Sequence, residues 1–121
     1  MHLIVVYLCL LISVNGLNPL VIKGYKIFDA VTGSPVFVKG VDYYPRPNHG
    51  TLNVNNYDFY TKAFQHVWEN DIKHFKRMGI TAVRLYAVDP SKTHDQFMAA
   101  LSNSGIYAVI GLAARCVRLS Y

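Results

Sequence analysis

Between Met78 and Tyr107 the chain reads MGITAVRLYAVDPSKTHDQFMAALSNSGIY, and the order of signals there restricts the fold more than any other stretch. Met78-Gly79 predicts a helix end, because glycine just past a helix accepts the left-handed conformation that terminates it. Residues 81–88, Thr-Ala-Val-Arg-Leu-Tyr-Ala-Val, are rich in β-branched and aromatic side chains and predict a strand. Asp89-Pro90 stops it. Thr93, with Gln96 three residues later, has the spacing of a capping box and predicts a helix over 94–103. Phe97, Met98 and Leu101 would face inward, Gly105 would end the helix, and residues 106–112 would form the next strand. Helix, strand, helix, strand at this spacing is the rhythm of a parallel α/β fold. Polar residues at the C-terminal strand ends of such folds usually carry the site. Arg84, Tyr86 and Asp89 lie in or beside one such end.

Upstream, residues 20–41 read as a hairpin. Val21, Ile22, Ile27 and Phe28 precede the turn cluster Thr32-Gly33-Ser34-Pro35, and Val36-Phe37-Val38 follow it. The first parallel strand is expected over 36–44, with Asp42, Tyr43 and Tyr44 at its tip. Residues 45–61, rich in Pro, Asn and Gly, predict a long loop on the same end of the fold. A helix over 63–78 follows. Phe64, Val67, Trp68, Ile72, Phe75 and Met78 form one apolar stripe, and Glu69, Asp71, Lys73 and Lys76 fall off it. No internal repeat or interdomain linker is visible.

The first sixteen residues, MHLIVVYLCLLISVNG, contain no acidic or basic side chain other than His2. Residues 3–14 have the length of a secretory leader's apolar segment and are too short to span a bilayer. A leader over 1–16 and a mature start at Leu17 are expected; an uncleaved anchor or a buried helix is the alternative. The net charge of +5 is spread along the chain, with one cluster at residues 73–77 on a predicted helix. No basic stripe or nucleic-acid-binding module accompanies it, so no nucleic-acid partner is expected. The five histidines lack ligand spacing, and no metal or cofactor is expected. Cys9 lies in the leader, which leaves Cys116 without an obvious partner.

The run V-R-L-Y-A-V-D-P-S-K-T-H-D-x-x-M-x-A-L from Val83, with S-G-I-Y-A-V-I from Ser104, resembles the β-1,3-glucanosyltransferases of glycoside hydrolase family 72. The upstream run N-P-L-V-I-K-G-Y-K-I-F-D-A-V-T-G-S-P-V-F-V-K-G-V-D-Y-Y-P, from Asn18, resembles the family's opening hairpin and first barrel strand. The resemblance covers about residues 18–114. It implies a (β/α)8 barrel, retaining chemistry with two catalytic glutamates, and β-1,3-glucan as partner. It also implies secretion to the cell surface or cell wall, with a glycolipid anchor only in a full-length form.

A complete barrel needs roughly 250 residues. Residues 17–121 are therefore expected to hold a partial (β/α)8 barrel, the opening hairpin plus about three β/α units. Retaining chemistry needs two carboxyl groups about 5 Å apart. The chain has a single glutamate, Glu69, on the outer face of a predicted helix. The resemblance implies that both catalytic glutamates lie beyond this chain, so a chain inactive by itself is expected. A non-catalytic, secreted glucan-binding fragment is the alternative.

The resemblance also implies which residues meet glucan. Tyr86 matches a family tyrosine that contacts it, and Tyr43 matches at the first strand tip. Tyr44 and Asp42 depart from the family pattern there. Arg84 shares a strand face with Tyr86; it either orients a ligand group or makes an ion pair with a neighbouring strand. Tyr57, Phe59 and Tyr60 either stack on sugar rings or pin the loop to the rim. Gly111 stands where the family has a sugar-contacting aspartate. Relatives join the first two barrel helices by a disulfide, and the matching positions are Trp68 and Phe97. These two rings are expected to meet. His94-Asp95 is expected to be structural, placed in the first turn of its helix.

Overall fold

The computed structural model describes residues 16–45 and 57–111. The expected leader apart from Gly16, most of the 45–61 loop, both cysteines and the tail from residue 112 lie outside the described residues.

Among the described residues there are two sheets. The strands β1 (Leu20–Lys23) and β2 (Lys26–Asp29) pair antiparallel, while β3 (Gly40–Tyr43), β4 (Ala82–Leu85) and β5 (Tyr107–Ile110) form a parallel sheet in that order. Parallel neighbours need a crossover. Helix α1 (Gln65–Arg77), entered through a 3-10 turn at Lys62–Phe64, returns the chain from β3 to β4, and α2 (Asp95–Asn103) returns it from β4 to β5. The helix–strand–helix–strand order expected from the sequence is thus observed, with each strand shortened to four residues.

Both helices cover one face of the parallel sheet. Tyr43, Val83 and Leu85 point into that layer and cluster with Trp68, Ile72, Phe97, Leu101 and Ile106. Each fully buried ring or aliphatic side chain there contributes about 1.5–3 kcal/mol. The period of two along a strand sends Asp42 and Arg84 to the opposite face, where register sets them side by side with Val109 beyond. Gly40 permits the close approach of β3 and β4, since a Cβ there would sit 3.3 Å from the Ala82 carbonyl oxygen.

The helix ends obey local chemistry. Gly79 and Gly105, both left-handed at φ 67° and 74°, terminate α1 and α2 where the sequence predicts. Lys39 adds a charge to the α1 terminus by donating from Nζ to the Met78 carbonyl at 2.7 Å. The capping box is a correction. Helix α2 begins one residue later than the Thr93–Gln96 spacing requires, so His94 holds the N-cap position and no side chain caps it.

The hairpin also differs from expectation. Its tight turn is Gly24-Tyr25, with Gly24 at φ 62° supplying the geometry of a two-residue hairpin loop. The Thr32–Pro35 cluster also turns the chain back, in a side-chain-stabilised loop: Asp29 Oδ1 accepts the Val31 and Thr32 amides, each at 2.8 Å. The returning segment pairs with β2 at an antiparallel bridge between Phe28 and Pro35, flanked by bonds from the Asp29 amide to the Ser34 carbonyl at 2.9 Å and from the Val36 amide to the Ile27 carbonyl at 2.8 Å. The Tyr107 hydroxyl donates to the Asn18 carbonyl at 2.8 Å, which sets the hairpin against the start of β5. The C-terminal strand tips lie at the opposite end of the sheet.

Candidate functional site at the strand tips

Asp42 and Arg84 face each other across β3 and β4, one residue before each strand ends. Arg84 Nη1 lies 3.5 Å from Asp42 Oδ1 and also donates to the Tyr86 hydroxyl. The guanidinium carbon stands 4.4 Å above the centre of the Tyr86 ring. All three groups are open to solvent, with side-chain exposures of 51% for Arg84 and 65% for Asp42. An ion pair this exposed contributes about 0.2–1 kcal/mol. Desolvation, and then hydrogen bonding to Asp42, holds the Tyr86 hydroxyl above its ordinary titration range, with the charge of Arg84 opposing. Directly after Tyr86 the chain turns through Ala87 at φ 54°, the one non-glycine residue at positive φ among the described residues.

Tyr60 and Asp58 hold this tip in place from behind. The Tyr60 hydroxyl, fully buried, donates to the Tyr43 carbonyl at 2.7 Å and accepts the Tyr86 amide at 3.1 Å. It therefore bridges β3 and the end of β4 at the point where the backbone ladder stops. Asp58, only 2% exposed, accepts the Tyr60 amide on Oδ1 at 2.9 Å. Its Oδ2 meets the Asp89 amide and His94 Nε2, each at 2.7 Å. One carboxylate thus ties the segment before α1 to the loop after β4 and to the start of α2.

Sequence reading did not single out Asp58. The available signal was an Asp two residues before a buried aromatic, the spacing at which its side chain caps its own backbone. His94 was expected to be structural, and its partner is Asp58 rather than Asp95, which occupies the first turn of α2. Asp89 takes the turn role expected of it, accepting the Ser91 amide at 3.0 Å and the Ser91 hydroxyl at 2.7 Å.

The four residues expected to meet a ligand divide into two sets. Arg84 and Tyr86 share the open face with Asp42. Tyr43 is turned the other way, because it pairs in register with Leu85 on the helix side of the sheet. It is buried against Phe75 and Phe97, and its hydroxyl donates to Asp71 Oδ2 at 2.8 Å. Tyr44 is half-buried against Phe59, its hydroxyl bonded to both the amide and the carbonyl of Tyr57 at 3.0 Å. Both tyrosines fix the rim. Phe59 and Tyr60 are buried as well, which favours the pinning role for the loop aromatics. A groove of about 510 Å³ lies elsewhere, between residues 60–63 and 92–97, and none of Asp42, Arg84 and Tyr86 lines it.

Burial pushes the Tyr43 hydroxyl far above its ordinary value of 10, aided by the Asp71 carboxylate; burial likewise raises Tyr60. A folded-state value above the unfolded one means stability that is fully present below pH 10 and lost as pH rises beyond it. In an alkaline titration Tyr43 and Tyr60 should therefore ionise only together with unfolding, read as tyrosinate absorbance rising in step with the loss of circular dichroism. Ionisation of every tyrosine near pH 10 with the fold intact would contradict this burial.

Comparison with known proteins gives a consistent result. The model of a family described as Glucanosyltransferase matches residues 10–120. The chain is 36% identical over 95 residues to the 1,3-beta-glucanosyltransferase gas4 of Schizosaccharomyces pombe, a match covering 78% of this chain and 19% of that protein. It is 31% identical over 107 residues to the 1,3-beta-glucanosyltransferase PGA4 of Candida albicans, covering 88% and 22%. Among solved structures, Saccharomyces cerevisiae Gas2p in complex with laminaripentaose aligns with a TM-score of 0.65 and 33% identity, over 78% of this chain and 21% of that one. The chain spans about a fifth of the length of these relatives.

Proposed function

The chain belongs to the glucanosyltransferase family, glycoside hydrolase family 72, and from that membership we propose that it is part of the (β/α)8 catalytic barrel of a secreted β-1,3-glucanosyltransferase, contributing one wall of the glucan cleft. The parallel strands β3 to β5 and the helices α1 and α2 are the first β/α units of that barrel in this reading, with the β1–β2 hairpin at its base. The observation that carries it is the open cluster of Asp42, Arg84 and Tyr86 at the C-terminal strand ends, the end where such barrels keep their sites. A ring with a hydroxyl stacks on a pyranose and hydrogen-bonds it at once; Tyr86 and Arg84 are the glucan-contacting residues. Tyr43 and Tyr44 shape the wall from within.

The chain by itself does not turn glucan over. Retaining transfer needs a pair of carboxyl groups about 5 Å apart, one donating a proton and one attacking the anomeric carbon. The single glutamate, Glu69, sits exposed on α1 and accepts a hydrogen bond from Gln65. That observation favours a second reading, a secreted module that binds β-1,3-glucan without cleaving it. The apolar leader over residues 1–16 supports export to the cell surface or cell wall. Among the described residues no helix is long and apolar enough to cross a membrane. Incubating the chain with laminari-oligosaccharides, which are β-1,3-linked glucose, should leave their length distribution unchanged. Elongated or shortened products would refute inactivity and point to a carboxyl pair made by other residues.

A further inference from the structure

The backbone just past β4 is held in a conformation that its own residue disfavours. Ala87 stands at φ 54°, in the left-handed region that a residue with a Cβ enters only at a cost; every other described residue at positive φ is a glycine. Such a conformation persists only where its surroundings fix it. Here buried groups fix both flanks. On one side the Tyr86 amide donates to the Tyr60 hydroxyl at 3.1 Å, and that hydroxyl is itself anchored by donating to the Tyr43 carbonyl at 2.7 Å. On the other side the Asp89 amide donates to Asp58 Oδ2 at 2.7 Å. Asp58 Oδ1 accepts the Tyr60 amide, so both holds come from one short segment. The residue this turn presents is Tyr86, its ring partly exposed and 4.4 Å from the Arg84 guanidinium carbon. Packing alone does not call for a tyrosine at residue 60. Its ring meets Phe97 and Tyr43, contacts that a phenylalanine would make as well. The hydroxyl adds the two bonds that join the end of β3 to Tyr86.

We infer that Tyr60 is a positioning residue of the cleft wall: its hydroxyl, together with Asp58, clamps Ala87 in the left-handed conformation and so sets the direction in which Tyr86 meets a ligand. The inference rests on the proposed function above, because it takes Tyr86 as a ligand-contacting residue. Without the hydroxyl, the Tyr86 amide and the Tyr43 carbonyl lose a partner, and the turn is held from the Asp89 side only. An alanine released in this way visits the left-handed region on the order of a tenth of the time. Apparent affinity falls with the fraction of chains in the competent conformation. Glycine enters the left-handed region without that penalty. The need for the hydroxyl should therefore shrink when residue 87 adopts the conformation freely.

Calorimetric titration of the full chain with laminaripentaose tests this, with Tyr60→Phe, Ala87→Gly, the two combined, Ala87→Val and Tyr86→Ala as variants. Tyr60→Phe should weaken binding about tenfold, with the circular dichroism of the folded chain retained because the ring stays. In a chain that carries Ala87→Gly, the same Tyr60→Phe change should cost less than about threefold. Ala87→Val keeps the hydroxyl but makes the left-handed region harder to hold, and it too should weaken binding. A hydroxyl that only stabilised the fold would lower the thermal midpoint in both backgrounds and leave the affinity of the folded chain unmoved. Suppose Tyr86→Ala weakens binding, while Tyr60→Phe costs the same with and without Ala87→Gly, or costs nothing, or Ala87→Val binds as wild type. The positioning role is then overturned and the cleft reading stands. If the wild-type chain does not bind, or Tyr86→Ala changes nothing, the cleft reading fails and takes this inference with it.

Discussion

Phe97→Ala should unfold most of the chain at room temperature or bring it to the edge of unfolding. Phe97 is 1% exposed, and its ring meets Trp68 at 5.4 Å, Tyr60 at 5.1 Å and Tyr43 at 6.4 Å between centroids. It is the point where α2, α1, the β3 tip and the Tyr60 bridge converge. Phe→Ala in such a place costs about 3–5 kcal/mol, against a total stability of about 5–15 kcal/mol for ordinary domains. A three-stranded sheet in which β5 is an edge strand among the described residues belongs at the low end of that range. Urea unfolding followed by the fluorescence of Trp68, the sole tryptophan, measures the loss. The rings of Trp68 and Phe97 meet nearly edge to face, at 73°, as expected from their positions on successive helices. A double-mutant cycle on this pair should return a coupling of about 0.5–1.5 kcal/mol. Additivity within about 0.3–0.5 kcal/mol would mean that each ring packs on the sheet independently.

Asp58→Ala should rank second, at about 3–5 kcal/mol, because it strands partners of a buried carboxylate. The Tyr60 and Asp89 amides would lose their acceptor, and His94 would lose its own partner. Asp58→Asn is the more informative change. Its one side-chain oxygen can still accept the Tyr60 amide, but the new NH2 faces the Asp89 amide. The cost should fall to about 1.5–3 kcal/mol. Amide hydrogen exchange gives a separate signature: protection should drop at Asp89 and Tyr86 in both variants and stay higher at Tyr60 in the asparagine one. An Asp58→Ala chain within about 0.5 kcal/mol of wild type would show that the carboxylate does not hold the loop after β4.

The order of helices and parallel strands was legible because it is written in periodicity and in the glycines at residues 79 and 105, signals that act locally. Strand ends were less so. Val36 to Lys39 are as β-prone as the strand they precede, yet β3 starts at Gly40, where β4 begins to pair with it. Length was set by the partner. The β1–β2 turn was missed for a different reason. Thr32-Gly33-Ser34-Pro35 is the denser turn signal, and the chain does reverse there, braced by the Asp29 side chain and a Phe28–Pro35 bridge, but a lone Gly24 suffices for the reversal that joins the two strands.

At the site, Arg84 and Tyr86 were readable from alternation along one strand. The inward turn of Tyr43 follows from the same alternation applied to β3 and its register with Leu85. Asp58 was not legible. Its three partners are two, thirty-one and thirty-six residues away, and only tertiary structure brings the latter two to it.

That the open face of the β3–β4–β5 sheet is a glucan-binding wall is tested most directly by chemical-shift mapping during titration with a laminari-oligosaccharide. Shifts should concentrate at Asp42, Arg84, Tyr86 and Ala87, with Tyr43, Trp68 and Phe97 on the helix side unmoved. Shifts gathered on the helix face or in the groove beside His94, or no shifts at saturating sugar, would contradict it.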